Sequence, residues 1–226
     1  MSPRRASGRP AYDAADGRGV TGVESAEWDR RYGVAELVWT GSANRFVVEE
    51  LAGLAAGRAL DLAAGEGRNA VWLAEQGWRV TAVDFSAVGL AKGRRLAEQR
   101  GVAVDWVTAD LRAYQPPARA FDLVLIAYLQ VRQAELAGVL HGARDALAAG
   151  GTLLVVGHDV VNLVEGVGGP QDPGVLYTPA AVAAELSGLD IRRAERVRRP
   201  VQTDAGLREA VDTLVHAVRP PAPADS

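Results

Sequence analysis

The stretch Ala59-Leu-Asp-Leu-Ala-Ala-Gly-Glu-Gly-Arg-Asn-Ala70 decides the fold of this chain. An apolar run ends in a turn with two glycines, and a helical pattern begins directly after them. A second apolar run, Val80-Thr-Ala-Val-Asp84, ends in an acid. A glycine-rich turn lets backbone N–H groups approach a ligand, and an acid after the next strand can accept hydrogen bonds from ribose hydroxyls. The pattern therefore predicts a nucleoside-binding crevice.

Strand-like runs alternate with helical patterns on both sides of this stretch. The runs are almost continuously apolar, which indicates strands buried on both faces of a parallel sheet. We predict an α/β fold, with a Rossmann-like sheet of seven mostly parallel strands, helices on both faces and an antiparallel last strand. The predicted strands span residues 58–63, 78–83, 103–107, 121–126, 152–156, 189–197 and 210–218. The predicted helices span 67–76, 87–100 and 132–148, the last ended by Gly150-Gly151, and another begins after Thr178; residues 164–174 are predicted to be a loop.

Composition excludes several classes of function. The 226 residues carry a net charge of −3 and no cysteine, which excludes disulfides, thiolate nucleophiles and cysteine-bound metals. The charge balance favours neither nucleic acid nor an anionic membrane as a partner. No apolar run approaches the ~20 residues of a membrane span, and no secretory signal precedes the first charges. We expect a cytoplasmic protein without a metal site. Five arginines between Arg192 and Arg199 are read as a solvated strand face, with a polyanion site as the alternative.

Three acids follow three successive predicted strands. Asp61, Asp84 and Asp110 stand near the carboxyl ends of the first, second and third strands, where open α/β sheets bind ligands. The G-x-G-x-x-A pattern of Gly65–Ala70 alone fits a dinucleotide dehydrogenase equally well. Three carboxylates along one edge suit a cationic amino-acid nucleoside better than a pyrophosphate.

These segments resemble class I S-adenosylmethionine-dependent methyltransferases. The likeness lies in Trp28-Asp-Arg-Arg-Tyr32, Ala59–Ala70 with Trp72-Leu-Ala, Trp78–Ser86, Asp110-Leu111 and Phe121-Asp-Leu-Val124. The chain is most similar to the small-molecule branch that includes the tellurite-resistance and thiopurine methyltransferase-like proteins. The resemblance covers residues 25–160 well and the rest loosely. It implies a methyltransferase domain over residues 51–219, and S-adenosylmethionine as the cofactor, leaving as S-adenosylhomocysteine.

The resemblance also implies roles for single residues. Gly65 and Gly67 would bring the backbone to the methionyl part of the cofactor, and Asp61 would hold its ammonium. Asp84 would bind the ribose hydroxyls, and Asp110 the adenine amine, with the Leu111 amide near the ring. The remaining cofactor contacts implied are Ala63, Asn69, Phe85 and Ala127. The family usually has glycine where Ala63 stands, so we expect an ordinary backbone there, without a positive φ.

The acceptor side is predicted from the ends of the fourth and fifth strands. Tyr128 could hydrogen-bond an acceptor or offer its ring to the sulfonium. His158 titrates near neutrality and is the best candidate for a general base, which is needed only if the acceptor must lose a proton. Asp159 and Asn162 follow His158 and would face the same crevice. The alternative for His158 is a side chain satisfied by local hydrogen bonds. We expect a small-molecule acceptor.

Both chain ends are predicted to lie outside the domain. Residues 1–20 are expected to form a disordered arm and 220–226 a disordered tail. Residues 21–50 hold aromatic residues among charges and predict a helical lid segment, with Trp28, Tyr32 and Trp39 as lid residues or as plain packing. The oligomeric state is left open between a monomer and a homodimer.

Two rival activities remain open. A methyltransferase acting on nucleic-acid bases would carry an Asn/Asp-Pro-Pro-aromatic motif after the fourth strand, where this chain reads Ile126-Ala-Tyr-Leu129. An NAD(P)-dependent oxidoreductase would share the glycine turn but would need further chain for its substrate. A cofactor-binding regulator without catalysis is a third possibility.

Overall fold

One mixed sheet organises the molecule. The structure is a computed structural model, and it describes residues 25–33, 37 and 41–221. Within these residues, seven strands lie in the order β3-β2-β1-β4-β5-β7-β6. The strands are β1 (Arg58–Leu62), β2 (Arg79–Asp84), β3 (Asp105–Thr108), β4 (Phe121–Ala127), β5 (Leu147–His158), β6 (Asp190–Thr203) and β7 (Gly206–Val218).

Strands β1 to β5 are parallel, whereas β7 runs antiparallel to both β5 and β6. The helices are α1 (Ser25–Gly33), α2 (Arg45–Leu51), α3 (Arg68–Glu75), α4 (Ala87–Arg100), α5 (Gln133–Ala146), α6 (Asn162–Glu165) and α7 (Pro179–Ala184), with a 3₁₀ turn at Pro173–Val175. The predicted Rossmann-like fold is confirmed.

Apolar layers cover both faces of the sheet. Leu123 and Leu125 of β4 pack with α2 and α3, whereas Val124 and Ile126 of the same strand pack with α5. All four side chains are fully buried. A strand with apolar residues on both faces must be covered on both faces, which explains its continuous apolar run. No helix in the described part of the chain is both long enough and apolar enough to cross a lipid bilayer.

Local signals place the helix ends as predicted. Ser86 caps α4 and accepts a hydrogen bond of 3.0 Å from the Gly89 amide. Thr178 caps α7 through the Ala181 amide at 3.1 Å, and Pro179 occupies the first helical position. These caps hold the first turns of helices whose preceding strands end at the same edge of the sheet.

Two predicted boundaries are wrong. Helix α5 ends at Ala146, and β5 begins at Leu147 rather than after the glycines. Leu147 pairs with Phe121 of β4, and Gly150 and Gly151 pair with Arg219 beyond β7, so partners on both sides extend the strand. The loop predicted over 164–174 also holds the last two residues of α6 and the 3₁₀ turn.

The last two strands are longer than predicted and form a hairpin. Strand β6 continues through Pro200 to Thr203, and β7 already begins at Gly206. Proline is tolerated because β6 lies at the edge of the sheet. Since β5 pairs with β7 only as far as Asp212, the hairpin tip projects beyond the carboxyl end of β5.

The arginines of β6 pair with acids, as expected for a solvated strand face. The partners include Asp190, Glu195 and Glu165, and two contacts reach inward from Arg196 to Asp159 and from Arg199 to Asp212. Charged side chains on an edge strand also oppose pairing with a second sheet. No polyanion site is needed to explain this arginine cluster.

Candidate active site

A pocket opens at the carboxyl edge of the sheet, between α1 and the end of β4. Eight of its lining residues are predicted site residues, and four are new. The predicted ones are Trp28, Tyr32, Ala63, Asp84, Phe85, Asp110, Leu111 and Tyr128. The new ones are Arg112, Leu129, Gln130 and Val131. The fold therefore brings the ends of β1, β2, β3 and β4 together at one cavity.

The glycine turn is built by positive φ angles and close contacts. Gly65 has φ of 56° and Gly67 has φ of 74°. A Cβ on Gly65 would lie 2.7 Å from the Tyr32 hydroxyl. At Gly67 a Cβ would meet the ring of Trp106, so neither position accepts a larger residue. Gly65 and Gly67 are buried beneath the pocket rather than on its wall.

Ala63 corrects one expectation directly. Its φ is 63°, so this alanine adopts the left-handed backbone that was predicted to be avoided. Alanine in this region costs about 1–2 kcal/mol, because its Cβ crowds the following carbonyl. The turn keeps the geometry that a glycine would allow, and the alanine methyl lies in the pocket wall.

Asp84 ties the second strand to the glycine turn. Its Oδ2 accepts a hydrogen bond from the Gly65 amide, and its Oδ1 accepts one from the Ser86 amide, both at 2.8 Å. Burial raises the pKa of Asp84, and the two amides act against that rise. The carboxylate is 5% exposed and lines the pocket, so it both shapes the turn and presents charge to a ligand.

Asp61 is the most strongly perturbed acid of the site. It is fully buried, and neither of its carboxylate oxygens has a hydrogen-bond partner among the described residues. Burial, and then the nearby charge of Asp84, raise the pKa of Asp61 to about 8. Asp61 lies behind the turn and not in the pocket wall. An unsatisfied carboxyl in this position favours a cationic group brought close to it.

Asp110 lies at the rim and is engaged by a neighbour that sequence reasoning missed. The Arg112 guanidinium donates to both Asp110 oxygens, at 2.5 to 3.0 Å, and the Arg112 amide donates at 2.9 Å. These bonds hold the pKa of Asp110 below its usual value. Asp110 is therefore ionised and oriented beside Leu111 in the pocket wall. The sequence signal that could have revealed this pair is an arginine two positions after an acid in a turn.

The only lysine in the chain fastens the glycine turn. Lys92 of α4 forms an ion pair of 3.0 Å with Glu66, whose side chain is 1% exposed. Glu66 lies between the two turn glycines, so the pair ties the turn to α4. The Lys92 ammonium also lies 6.0 Å from the centre of the Tyr32 ring. Because both side chains are largely buried, separating them would leave an unpaired buried charge. The pair therefore favours one position of the turn relative to α4.

Helix α1 lies beside the pocket, within the segment that the sequence predicts to be a lid. Trp28 and Tyr32 both line the pocket, and their rings lie 5.4 Å apart. The Ser86 hydroxyl donates to Asp29 at 2.5 Å, which places a carboxylate at the N-terminus of α4. Trp39, the third predicted lid residue, lies outside the described residues, as do the predicted arm of residues 1–20 and most of the predicted tail.

Tyr128 ends β4 in a strained conformation. Its φ is 59°, and a bulky residue adopts this backbone only where its surroundings hold it. The hydroxyl donates to Asp212 Oδ2 at 2.7 Å and accepts from Asn44 Nδ2 at 3.1 Å. Burial, and then the Asp212 charge, raise the pKa of Tyr128 above its ordinary value. The hydroxyl is thus occupied and protonated, while the ring contributes to the pocket wall.

Asn69 supports this arrangement from the cofactor turn. Its side-chain oxygen accepts a hydrogen bond of 2.9 Å from the Asn44 amide, and Asn44 caps α2. Asn69 is predicted to contact the cofactor, but this contact holds the cap instead. Ala127, another predicted contact that does not line the pocket, is 9% exposed and packs in the core beside α2 and α3.

His158 is paired with a carboxylate that sequence reasoning did not single out. Strand register places His158 of β5 opposite Asp212 of β7. His158 Nδ1 lies 3.3 Å from Asp212 Oδ1, and the ring centre lies 4.8 Å from that of Tyr128. His158 therefore adjoins the pocket through Tyr128 and does not line it. Asp212 and Arg199 come from the hairpin, whose pairing register no local pattern reveals.

Asp159 and Asn162 do not reach the pocket, and structural bonds occupy their side chains. Asp159 accepts from the Val161 amide, the Arg196 guanidinium and the Thr213 hydroxyl, at 2.7 to 2.9 Å. Asn162 donates to the Gly168 carbonyl and accepts from the Val211 amide. Both residues fasten the segment after β5 to the hairpin, so the predicted contact with an acceptor has no support in these bonds.

Comparisons with known proteins agree with this geometry. Residues 59–151 match a family model described as a methyltransferase domain. Over 124 residues the chain is 38% identical to the demethylmenaquinone methyltransferase of Thermus thermophilus, covering 54% of each protein. Over 110 residues it is 30% identical to a ubiquinone biosynthesis O-methyltransferase of Pseudomonas aeruginosa, covering 48% of this chain and 47% of the relative. The chain spans about half the length of the curated relatives it matches.

Solved structures share the fold at low sequence identity. A structure describing the conversion of a disulfide bond into a thioacetal group during echinomycin biosynthesis has a TM-score of 0.68 at 21% identity, covering 87% of this chain and 92% of that chain. TehB from Haemophilus influenzae has a TM-score of 0.67 at 16% identity, covering 80% and 63%. These likenesses establish a Rossmann-like fold.

The family match over residues 59–151 and the shared fold support the predicted resemblance to class I S-adenosylmethionine-dependent methyltransferases. The predicted recognition is confirmed, and neither the oxidoreductase nor the nucleic-acid alternative is favoured.

Proposed function

We propose that this protein transfers a methyl group from S-adenosylmethionine to a small-molecule acceptor. The observation that carries the proposal is the pocket at the carboxyl edge. Asp84 ends β2 and Asp110 follows β3 in its wall, and the buried Asp61 lies behind the wall near the end of the adjacent strand β1. Relatives named as methyltransferases of demethylmenaquinone and in ubiquinone biosynthesis support a small-molecule acceptor.

The residues present fit this cofactor. The orphaned Asp61 carboxyl offers two acceptor oxygens to an ammonium group, and Asp84 lies where ribose hydroxyls would meet the second strand. Asp110 and Leu111 form the wall for the adenine, with Phe85 beside them. The backbone of the glycine turn would approach the methionyl part from beneath the pocket, and the Tyr32 hydroxyl and the Trp106 ring lie where a Cβ on Gly65 or Gly67 would stand.

When bound, the cofactor supplies a methyl group already activated on a positively charged sulfur. The protein's task is then to align the acceptor and exclude water. Trp28 and Tyr32 of α1 cover one side of the pocket, and Leu129 and Val131 form an apolar wall beyond β4. The Tyr128 ring offers an electron-rich face to a cation. His158, which adjoins the pocket through the Tyr128 ring, would take a proton from the acceptor.

Calorimetric titration with S-adenosylhomocysteine tests cofactor binding without knowledge of the acceptor. The best variant is Asp84→Asn, because alanine would leave the Gly65 and Ser86 amides unpaired. The amide keeps one acceptor oxygen but loses the charge, so affinity should fall at least tenfold, about 1.4 kcal/mol. Asp122→Asn is the control. The partly exposed Asp122 carboxylate lies at the start of β4 and accepts a hydrogen bond from the Arg58 amide. An unchanged dissociation constant in Asp84→Asn would remove the ribose role.

The rival activities are tested with the same protein. NADH should not compete with S-adenosylhomocysteine, and a filter-binding measurement should detect no retention of RNA. Binding of S-adenosylhomocysteine without methyl transfer to any pool of small acceptors would favour a cofactor-binding regulator instead.

A further inference from the structure

The two carboxylate oxygens of Asp212 differ in their hydrogen bonds. Its Oδ2 accepts hydrogen bonds from the Tyr128 hydroxyl at 2.7 Å and from Arg199 Nε at 2.6 Å. Its Oδ1 is buried and has no hydrogen-bond partner among the described residues. The nearest ionisable neighbour of Oδ1 is His158 Nδ1, at 3.3 Å. One oxygen is therefore satisfied, and the other is aimed at an imidazole.

The two ring nitrogens of His158 also differ. His158 Nδ1 is buried and has no closed hydrogen bond, and the whole side chain is only 10% exposed. A Cβ on Gly169 would lie 2.9 Å from Nδ1, so a larger residue at this position would collide with the ring. A buried acceptor and a buried nitrogen facing each other are both satisfied when Nδ1 carries the proton. Nε2 is then left with a free lone pair.

We propose that Asp212 is a positioning residue that holds His158 in the Nδ1–H tautomer, so that Nε2 accepts a proton from a hydroxyl on a flat, apolar acceptor such as a phenol or enol. This inference rests on the proposed methyl transfer. A hydroxyl suits this pairing, because a neutral hydroxyl must lose its proton, whereas an acceptor that is already ionised needs no base. We infer an apolar ring on the acceptor because Leu129, Val131 and Trp28 offer apolar surface beside Tyr128 in the pocket wall.

The proposed step balances. The O–H bond breaks as the proton passes to His158 Nε2, and its electron pair stays on the acceptor oxygen. That oxygen forms a bond to the methyl carbon while the carbon–sulfur bond breaks, and the released pair neutralises the sulfonium. The imidazolium that forms is stabilised by Asp212, which Arg199 and Tyr128 keep in its ionised form. Although burial alone would raise it, these neighbours and His158 keep the pKa of Asp212 below its ordinary value.

The first test is the tautomer of His158 in the intact protein, read from nitrogen chemical shifts by NMR. The chain has three histidines, so His158→Gln assigns the signal directly. With S-adenosylhomocysteine bound, the proposal expects the Nδ1–H form, and Asp212→Asn should shift it toward the Nε2–H form, because the amide can donate to Nδ1. An Nε2–H form in the unaltered protein overturns the proposal. Binding of S-adenosylhomocysteine, measured on the same sample, reports separately on the proposed function.

The second test compares two acceptors of one shape. Naphthalene-2-thiol is largely ionised at mildly alkaline pH without help from the protein, whereas 2-naphthol must lose its proton during the reaction. Asp212→Asn should lower kcat for the naphthol at least tenfold and change that for the thiol less than twofold. Equal losses with both compounds, or methylation of the thiol alone by the unaltered protein, overturn the proposal. If neither compound is methylated, the NMR measurement of the His158 tautomer decides whether the proposal stands.

A matched control separates positioning from stability. Asp159 is also fully buried and also pairs with an arginine of β6, but its oxygens are all occupied by structural bonds. Asp159→Asn should lower thermal stability and leave the His158 tautomer and the ratio of the two rates unchanged. If Asp159→Asn and Asp212→Asn alter the tautomer equally, Asp212 has only a structural role.

Discussion

At the scale of single residues, Ala63 stores strain in the turn that shapes the pocket. Its φ of 63° suits glycine, and replacement by glycine removes the cost of the left-handed backbone. After allowing for the greater freedom of glycine in the unfolded chain, Ala63→Gly should raise the free energy of unfolding by about 0.5–1 kcal/mol. Urea denaturation measures it. The control is Ala64→Gly, whose φ is not positive and which should destabilise by about the same amount.

Asp61 should make cofactor binding depend on pH. Its pKa of about 8 means that the carboxyl is mainly protonated at neutral pH in the free protein. A cation placed beside it favours ionisation, so binding S-adenosylmethionine near pH 7 should release up to about one proton. Titrations in buffers of different ionisation enthalpy measure this release. Asp61→Asn should abolish it, and an unchanged release in that variant would assign the proton to another group.

The same residue should affect stability with a definite sign. Since the folded protein holds the Asp61 proton up to about pH 8 and the unfolded chain loses it near 3.8, the folded state binds more protons in this window. Stability of the free protein therefore falls as pH rises through it, and Asp84 acts in the same direction. The stability of Asp61→Asn relative to the unaltered protein should therefore increase as pH rises between these two values. Thermal unfolding at several pH values measures this difference. A difference that does not vary with pH would contradict the raised pKa.

At the scale of elements, the Asp29 carboxylate helps to hold α1 to the carboxyl edge of the sheet. Asp29 accepts from the Ser86 hydroxyl and lies 3.4 Å from the Val88 amide, so its charge lies at the N-terminus of α4. Asp29→Asn removes that charge and should loosen the helix that carries Trp28 and Tyr32. We expect S-adenosylhomocysteine to bind about fivefold more weakly, or about 1 kcal/mol. Glu27→Gln on the same helix is the control, and equal effects of both variants would point to net charge rather than docking.

Elements also show where local sequence patterns suffice. The β1 strand, the glycine turn and α3 were predicted within one or two residues, because apolar periodicity and glycine act locally. The length of β6 was not predicted, because Pro200 normally ends a strand and only the edge position permits it. The early start of β5 likewise depends on partners in β4 and beyond β7.

At the scale of the whole molecule, cofactor binding should stabilise the entire fold by mass action. S-adenosylhomocysteine at one hundred times its dissociation constant should add about 2.7 kcal/mol. For a chain of this size, that corresponds to a rise in Tm of roughly 5–10 °C. Thermal unfolding followed by circular dichroism measures the rise. NADH at the same concentration should give none. A tenfold weaker affinity in Asp84→Asn should remove about half of the rise. A shift with NADH alone would favour an oxidoreductase.

The cofactor side and the acceptor side are connected by one hydrogen-bonded chain. Asn69 holds Asn44, Asn44 donates to Tyr128, and Tyr128 donates to Asp212, so the chain runs from α3 to β7. Each member belongs to a different element of the fold. A residue such as Asn69, expected to touch the cofactor, thereby acts on the position of Tyr128.

The amino-acid sequence by itself determined the alternation of strands and helices in the first half, the glycine turn and the positions of the three acids, because each depends on patterns that are local in the chain. It also determined the family likeness carried by those residues. Only the tertiary structure decided which side chains share the acceptor side. Asp212 and Arg199 lie on a hairpin far along the chain, and strand register alone brings Asp212 opposite His158. Register is a property of paired backbones, so no local pattern in either segment could reveal it.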